Sequence, residues 1–530
     1  MTGTIYSLIP PLVAILMVIL TRKVLLSLGV GIVSAALVLQ WNAVKEGGIL
    51  FFLSEAFNSI WSSFKAIFVS EGSLNTWNMY IVFFLLLLGV ITAFISVTGG
   101  SRAFGEWAGR RIKSRVGAQL LAAILGIIIF IDDYFNALAV GQVSKPLTDR
   151  YRVSRAKLAY IIDSTSAPIC VVSPISSWGA YIIAIIGTIL ATHGISEYTA
   201  LSAFIQMIPM NLYVITAILM VFVTTIFNIN LGSMKGHEER AVKLGEMIDP
   251  AKPVIGDLKQ DLPQSDRGTI GDLIWPIIAL VIGTVGSMIW TGFTATEENR
   301  TLLAIFENTD VAASLLYGGL LGLLVVFILF FNQVMTKKSI SAGLFFKGII
   351  EGIKSMLPAI YILLLAWMVV DLIGQLETGA YLASLVEKAN LNIAYLPVIL
   401  FIVAGLMAFS TGTSWGTFGI MLPIAGEIMA STDVSMLLPA LAAVLAGSVF
   451  GDHCSPISDT TILSSTGAGS HHIDHVLTQL PYALTSAIIA TVGFIVMGMT
   501  GSTILGIMVV LLSLLVFTFV FRQQKTTVLV

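Results

Sequence analysis

One stretch concentrates chemistry in an otherwise apolar chain. Ser448-Val449-Phe450-Gly451-Asp452-His453-Cys454-Ser455-Pro456-Ile457-Ser458-Asp459-Thr460-Thr461 carries two carboxylates, an imidazole, a proline and several hydroxyls, within a sequence that is 56% hydrophobic. Apolar runs at 435–446 and 476–499 flank it. Oxygen-rich, Pro-broken backbone at membrane depth is tolerated only where protein buries it or where it lines a cavity. An intramembrane carboxylate is costly, so it marks a functional site by default. Asp452 and Asp459 suit a site where a cation and a proton compete for one carboxylate, and such competition with alternating access yields exchange. Proline frees a helix carbonyl. Those carbonyls, with Ser455 and Ser458, supply oxygens for a dehydrated cation. The tetrapeptide Ser-Pro-Ile-Ser recurs at Ser173-Pro174-Ile175-Ser176, making Ser173 and Ser176 the matching candidates.

Two further clusters interrupt apolar runs. In Phe130-Ile131-Asp132-Asp133-Tyr134-Phe135-Asn136, the paired acids offer one ion- or proton-carrying group and one helix cap. Asn136 closes that turn. In Phe409-Ser410-Thr411-Gly412-Thr413-Ser414-Trp415-Gly416-Thr417 there is no acid, but the hydroxyls of Thr411, Thr413 and Ser414 suit Na⁺ or a polar organic solute. Against this stands the tendency of such hydroxyls to bond back to their own helix. Trp178 and Trp415 read either as packing or as stacking contacts to an organic substrate. His453 reads as a proton relay, a substrate contact, or a partner of its neighbouring acid. Asp163 and Asp371 are further intramembrane acids, the latter suited to a pairing role near a span end. His471, His472, Asp474 and His475 have the composition of a metal cluster but fall in a loop, and no structural metal is expected. Cys170 and Cys454 read as small buried packing residues. No nucleophile–base pair, phosphate loop or metalloprotease motif is present, so neither an enzyme nor a cofactor is expected.

The elements that hold these residues are read from hydropathy. Only 11% of residues are charged, net charge is −2, and mean hydropathy is +0.93, which leaves no footprint for nucleic acid and points to the lipid bilayer. Apolar runs of about 20 residues recur throughout. Expected spans are 5–21, 24–40, 79–98 and 201–227, with an interfacial amphipathic helix at 48–69, an interrupted run at 117–143 and a broken region at 156–192. A polar linker at 232–272 follows, with Pro250, Pro253 and Pro263 as breakers, and separates a first membrane repeat (1–231) from a second (273–530). The second repeat brings spans at 273–290, 312–331 and 356–376, an amphipathic 342–353, an interrupted run at 396–430, a broken region at 437–465, and spans at 476–499 and 504–521.

Three echoes support a true repeat: Ser173 and Ser455 lie 282 residues apart, Asp132 and Thr413 lie 281 apart, and Thr98-Gly99 precedes Thr378-Gly379 by 280. Cytoplasmic loops concentrate Lys and Arg. Arg102, Arg110, Arg111, Lys113 and Arg115 precede the first interrupted run, and Lys145, Arg150, Arg152, Arg155 and Lys157 follow it, so this run enters from the cytoplasm and returns as a re-entrant hairpin. Lys337, Lys338, Arg522 and Lys525 place further loops and the C-terminus in the cytoplasm. The flanks of the second run, 377–392 and 431–435, lack this excess, so the second half is inverted. The expected fold is an all-α polytopic membrane protein of two inverted-topology repeats, each with a re-entrant hairpin and a broken helix.

At the four quoted blocks, the fourth running from Ala167-Pro168 to Ser173-Pro174-Ile175-Ser176-Ser177-Trp178, the chain resembles the NhaC family of Na⁺/H⁺ antiporters, within the ion-transporter superfamily. The resemblance implies a multi-pass secondary transporter of the bacterial inner membrane, and a homodimer in which a transport domain moves elevator-fashion past a scaffold. It leaves two cargoes open: exchange of Na⁺ for H⁺, or Na⁺- or H⁺-coupled movement of a small amino or organic acid.

Overall fold

A backbone that crosses about 30 Å of hydrocarbon must satisfy its own hydrogen bonds, which dictates helices of about 20 residues. The computed structural model meets this demand; it describes residues 1–522 apart from 22, 71, 131, 175, 253–261, 297–299, 379, 382–383 and 385–392. Ile131, Ile175, Pro253, Gly379, Lys525 and the flank residues 382–383 and 385–392, all used in the sequence reading, lie outside the described residues. Among the described residues eight helices are long and apolar enough to cross a membrane: Thr76–Val97, Gly271–Ala295, Val311–Met335, Leu344–Gln375, Ile393–Thr411, Val434–Cys454, His472–Thr500 and Thr503–Arg522. Ala200–Met210 and Leu212–Ile226 make a further apolar pair bent by 49°. The described strands are a two-residue antiparallel pair, Val69–Ser70 with Ser73–Leu74. The chain is a multi-pass, all-helical membrane protein.

Several expected boundaries shift, each for a local reason. The two N-terminal runs form helices of 13 residues (Ile9–Thr21) and 16 residues (Val24–Leu39), shorter than a full crossing, because Pro10 and Pro11 delay the first and the chain breaks before Val24. The segments 342–353 and 356–376 are one 32-residue helix, Leu344–Gln375, where Lys354 pairs with Glu351 at 3.0 Å on the same face. The span expected at 201–227 breaks at Asn211, two residues after Pro209. The expected interfacial helix is Ala43–Phe68, kinked at Gly48.

Two groups of helices pack side by side. In one, Thr76–Val97 packs against Val311–Met335 and Leu344–Gln375, and Gly271–Ala295 packs against Val311–Met335. Phe94 anchors this group, edge-on to Phe327, Phe330 and Phe345 at 4.9–5.7 Å. The other group holds both interrupted runs and both broken regions.

The first interrupted run folds back on itself. Arg115–Ile128 and Asp133–Arg150 meet at the break, where Asn136 reaches Ile129, and they meet again at their far ends, where Tyr151 bonds the Ile112 carbonyl. The second run is solved by its neighbour. A Cβ on Gly447 would lie 2.1 Å from the Phe401 carbonyl, and Ser455 bonds the Phe409 carbonyl, so Leu396–Thr411 and Leu437–Cys454 run parallel. The helix between them, Ser414–Thr432, must therefore run back. Both runs are helical hairpins.

The tip of the second hairpin depends on Gly412, whose φ of +73° ends Leu396–Thr411 in the left-handed conformation while its N–H bonds the Ala408 carbonyl. A Cβ there would also sit 2.8 Å from Ile457 Cγ1. Gly412→Ala is expected to cost about 1–2 kcal/mol from backbone strain alone, before Ile457 shifts. A thermal melt of the purified protein checks this as a lowered Tm.

Candidate functional site

Four helix breaks converge: 129–132, Gly412–Thr413, 164–176 and 455–458. The bonds that join them run between the two halves of the chain. Tyr134 donates to Asp459 Oδ2, and Asp459 Oδ1 accepts the Thr460 N–H at 2.9 Å. Ser414 donates to Asp452 Oδ2 at 2.8 Å and to the Ser448 carbonyl at 3.1 Å. Trp178, fully buried, donates its Nε1–H to Asp133 Oδ1 at 3.0 Å. Asp133 Oδ2 is buried and has no hydrogen-bond partner among the described residues. Asp132 is the chain neighbour of Asp133, and Asp459 lines the same cavity.

Beside these acids is a cavity of about 370 Å³. Asp132, Asp133 and Asp459 line it, with Thr413, Asn78 and the rings of Trp77, Tyr134, Trp367 and Trp415. Its walls come from both helix groups, because Trp77 belongs to Thr76–Val97 and Trp367 to Leu344–Gln375. Asp133 and Asp459 sit in the first turns of their helices, where the macrodipole favours negative charge. Thr413 is the N-cap of Ser414–Thr432, yet its hydroxyl makes no capping bond, and the residue lines the cavity.

The structure divides the remaining candidates by the job their side chains do. Asn136 is a staple: its amide donates to the carbonyls of Gly126 (2.6 Å), Ile129 (2.5 Å) and Thr165 (3.2 Å), tying both hairpin arms to the first broken helix. Ser176 and Ser458 cap helices, accepting the N–H of Gly179 at 2.8 Å and of Thr461 at 3.3 Å. Ser173 and Thr411 bond back to their own helical turns, at Ile169 and Met407. Ser455 holds the Phe409 carbonyl at 2.8 Å. Asn136, Ser176, Ser455 and Ser458 are thus committed to backbone groups at the helix breaks, whereas Ser173 and Thr411 bond carbonyls of their own turns.

His453 does not pair with adjacent Asp452. Its Nδ1 meets the Tyr213 hydroxyl at 2.8 Å and its Nε2 meets Ser164 at 3.1 Å. It belongs to a second buried centre around Asp163, which accepts from Ser464 at 2.8 Å, from Gln479, and from His475 at 3.3 Å. The residues expected in a loop instead open the helix His472–Thr500, and they disperse: His472 turns to Ser465 and the Pro456 carbonyl, His475 to Asp163, and Asp474 pairs with Lys252 at 2.5 Å. Among the described residues no group of His, Cys, Asp and Glu has metal-site geometry. Asp371 accepts from Ser63 and Gln375, so it takes the pairing role. Cys170 and Cys454 are buried free thiols.

Sequence reasoning missed Trp77, Trp367 and Tyr134 as cavity residues, and Gln479, Tyr213 and Ser464 as partners of the second centre. Trp77, at a span end, reads as an interface anchor, and Trp367, inside a span, as packing; only tertiary structure turns both toward one cavity.

Interrupted hairpins, broken helices and buried acids define this chain as a secondary transporter. The chain belongs to the Na⁺/H⁺ antiporter family, whose sequence pattern matches residues 169–499. A Haemophilus influenzae protein described as uncharacterized is 47% identical over 527 residues, covering 99% of this chain and 96% of that one. The malate-2H⁺/Na⁺-lactate antiporter of Bacillus subtilis is 32% identical over 158 residues, covering 28% of this chain and about a third (32%) of its own length. The solved YdaH transporter of Alcanivorax borkumensis aligns at 13% identity with a TM-score of 0.32, over 84% of this chain and 88% of that one, a likeness too low to argue from.

Asn136→Ala removes the two N–H groups that these three carbonyls share. At about 0.5–1.5 kcal/mol for each N–H, the loss is expected to reach roughly 1–3 kcal/mol, seen as a lowered Tm.

Proposed function

We propose that this protein exchanges Na⁺ for H⁺, with the Asp133 and Asp459 carboxylates, aided by Asp132 and Asp452, as the groups that hold either ion. The half-satisfied carboxylate of Asp133 beside the cavity carries this reading. A buried carboxylate without a full set of partners is strongly disfavoured as a bare charge. It must hold a proton or a cation, and it cannot hold both. Thr413 supplies a neutral oxygen at the opposite hairpin tip, and Ser414 steadies Asp452. Asp163, already met by several donors, is assigned to structure instead.

The same reading places the protein in the bacterial inner membrane with a cytoplasmic C-terminus. The cavity is lined at Trp77 and Val311, the starts of two spans whose far ends lead to Arg102 and Lys337. With basic ends inside, the cavity opens outward. Its position between the two helix groups supports an elevator motion of inverted repeats past a scaffold, in a homodimer. Coupled transport of a small amino or organic acid is the second reading, favoured by a cavity larger than one ion requires.

In liposomes containing the purified protein, an inward Na⁺ gradient is expected to raise internal pH. Asp133→Asn or Asp459→Asn should cut that response by roughly a hundredfold or more, since losing one partner of a buried charge costs about 3–5 kcal/mol. An unchanged response in both variants would remove these acids from the mechanism.

A further inference from the structure

We propose that the cavity admits a small organic monocation, of the ammonium or guanidinium class, as a second transported cargo. This rests on the cavity being the transport site, and it names the cargo class that the site's chemistry selects.

Size comes first. At about 370 Å³ the space falls in the range of small-molecule sites, which start near roughly 300 Å³. Charge comes second. Asp132, Asp133 and Asp459 line the cavity, and among its described lining residues there is no Lys, Arg or His. A free organic anion would meet three carboxylates with no opposing side chain. The walls come third. Trp77, Trp367 and Trp415 arrive from three different helices around the same space, and indole is the strongest aromatic partner for a cation. Finally, Asp133 Oδ2 is buried without a partner among the described residues. A neutral solute can at most donate a hydrogen bond and leaves the negative charge uncompensated, and an anion worsens its position. An organic cation meets the carboxylate with its charge and the tryptophans with its apolar body.

The test uses the full chain in liposomes with tetramethylammonium and choline as probes. Both are permanent cations, so neither crosses the bilayer in a neutral form. Na⁺, lactate and malate are run alongside, and internal pH is read. Either organic cation is expected to raise internal pH saturably and to compete with Na⁺. In Trp367→Leu the ratio of the tetramethylammonium response to the Na⁺ response is expected to fall about tenfold. Silence to both organic cations, where Na⁺ acts, overturns this inference and leaves ion exchange standing. A response to organic cation without one to Na⁺ supports the inference and overturns Na⁺ exchange. A response to lactate or malate alone overturns both. A parallel loss of both responses in Trp367→Leu overturns the selective role given to the tryptophans.

Discussion

A carboxylate taken out of water must be paired, hydrogen-bonded or protonated, and this chain takes at least five of them inside. Asp132, Asp133, Asp163, Asp452 and Asp459 are all at or near helix breaks. A break exposes N–H groups at one helix start and leaves carbonyls at the previous helix end. Asp459 takes such an N–H, from Thr460, while Asp133, Asp163 and Asp452 are met by side chains that other segments bring to the breaks. Asn136, Ser173, Ser176, Ser455 and Ser458 are spent on the carbonyls and caps. Close glycine crossings, such as Gly447 against Phe401, let the broken helices approach closely enough to share these bonds.

How far each acid is satisfied separates structure from work. Asp163 is enclosed by Ser464, Gln479 and His475, and its centre locks the two broken helices together. Asp133 keeps one oxygen without a partner among the described residues, at the edge of a cavity shared by both helix groups. A fully met charge has no reason to release anything. A half-met charge at a helix N-terminus can take up a cation or proton and let it go, because the macrodipole stabilises the carboxylate left when the ion departs.

Much of this was legible in the sequence. Adjacent acids within an apolar run, Pro-broken segments rich in hydroxyls, and a tetrapeptide repeated 282 residues apart all pointed to the breaks that the structure contains. Hydropathy found the long spans. What it could not supply was direction. Ser176 and Ser458 look alike as ligands or as caps until the N–H three residues on is seen to point at them. His453 stands next to Asp452 in sequence, but one residue along a helix turns it by about 100°, and it faces Asp163 instead. Trp77 and Trp367 carry no local signal at all, because their place in the cavity arises from packing between distant segments. The break between the two N-terminal helices falls between Thr21 and Val24, where hydropathy placed it, but the first helix starts only at Ile9, because Ile5–Leu8 form a separate 3-10 turn ahead of Pro10 and Pro11 that apolar character does not reveal.

The central claim is that Na⁺ and H⁺ compete for the same buried carboxylates. Its most direct test is proton release on Na⁺ binding, followed in weakly buffered detergent solution of the purified protein. The account predicts that Na⁺ displaces protons into the medium, that lowering the pH weakens Na⁺ binding, and that Asp133→Asn loses the signal. Na⁺ binding with no proton released would contradict it, because the two ions would then occupy separate sites.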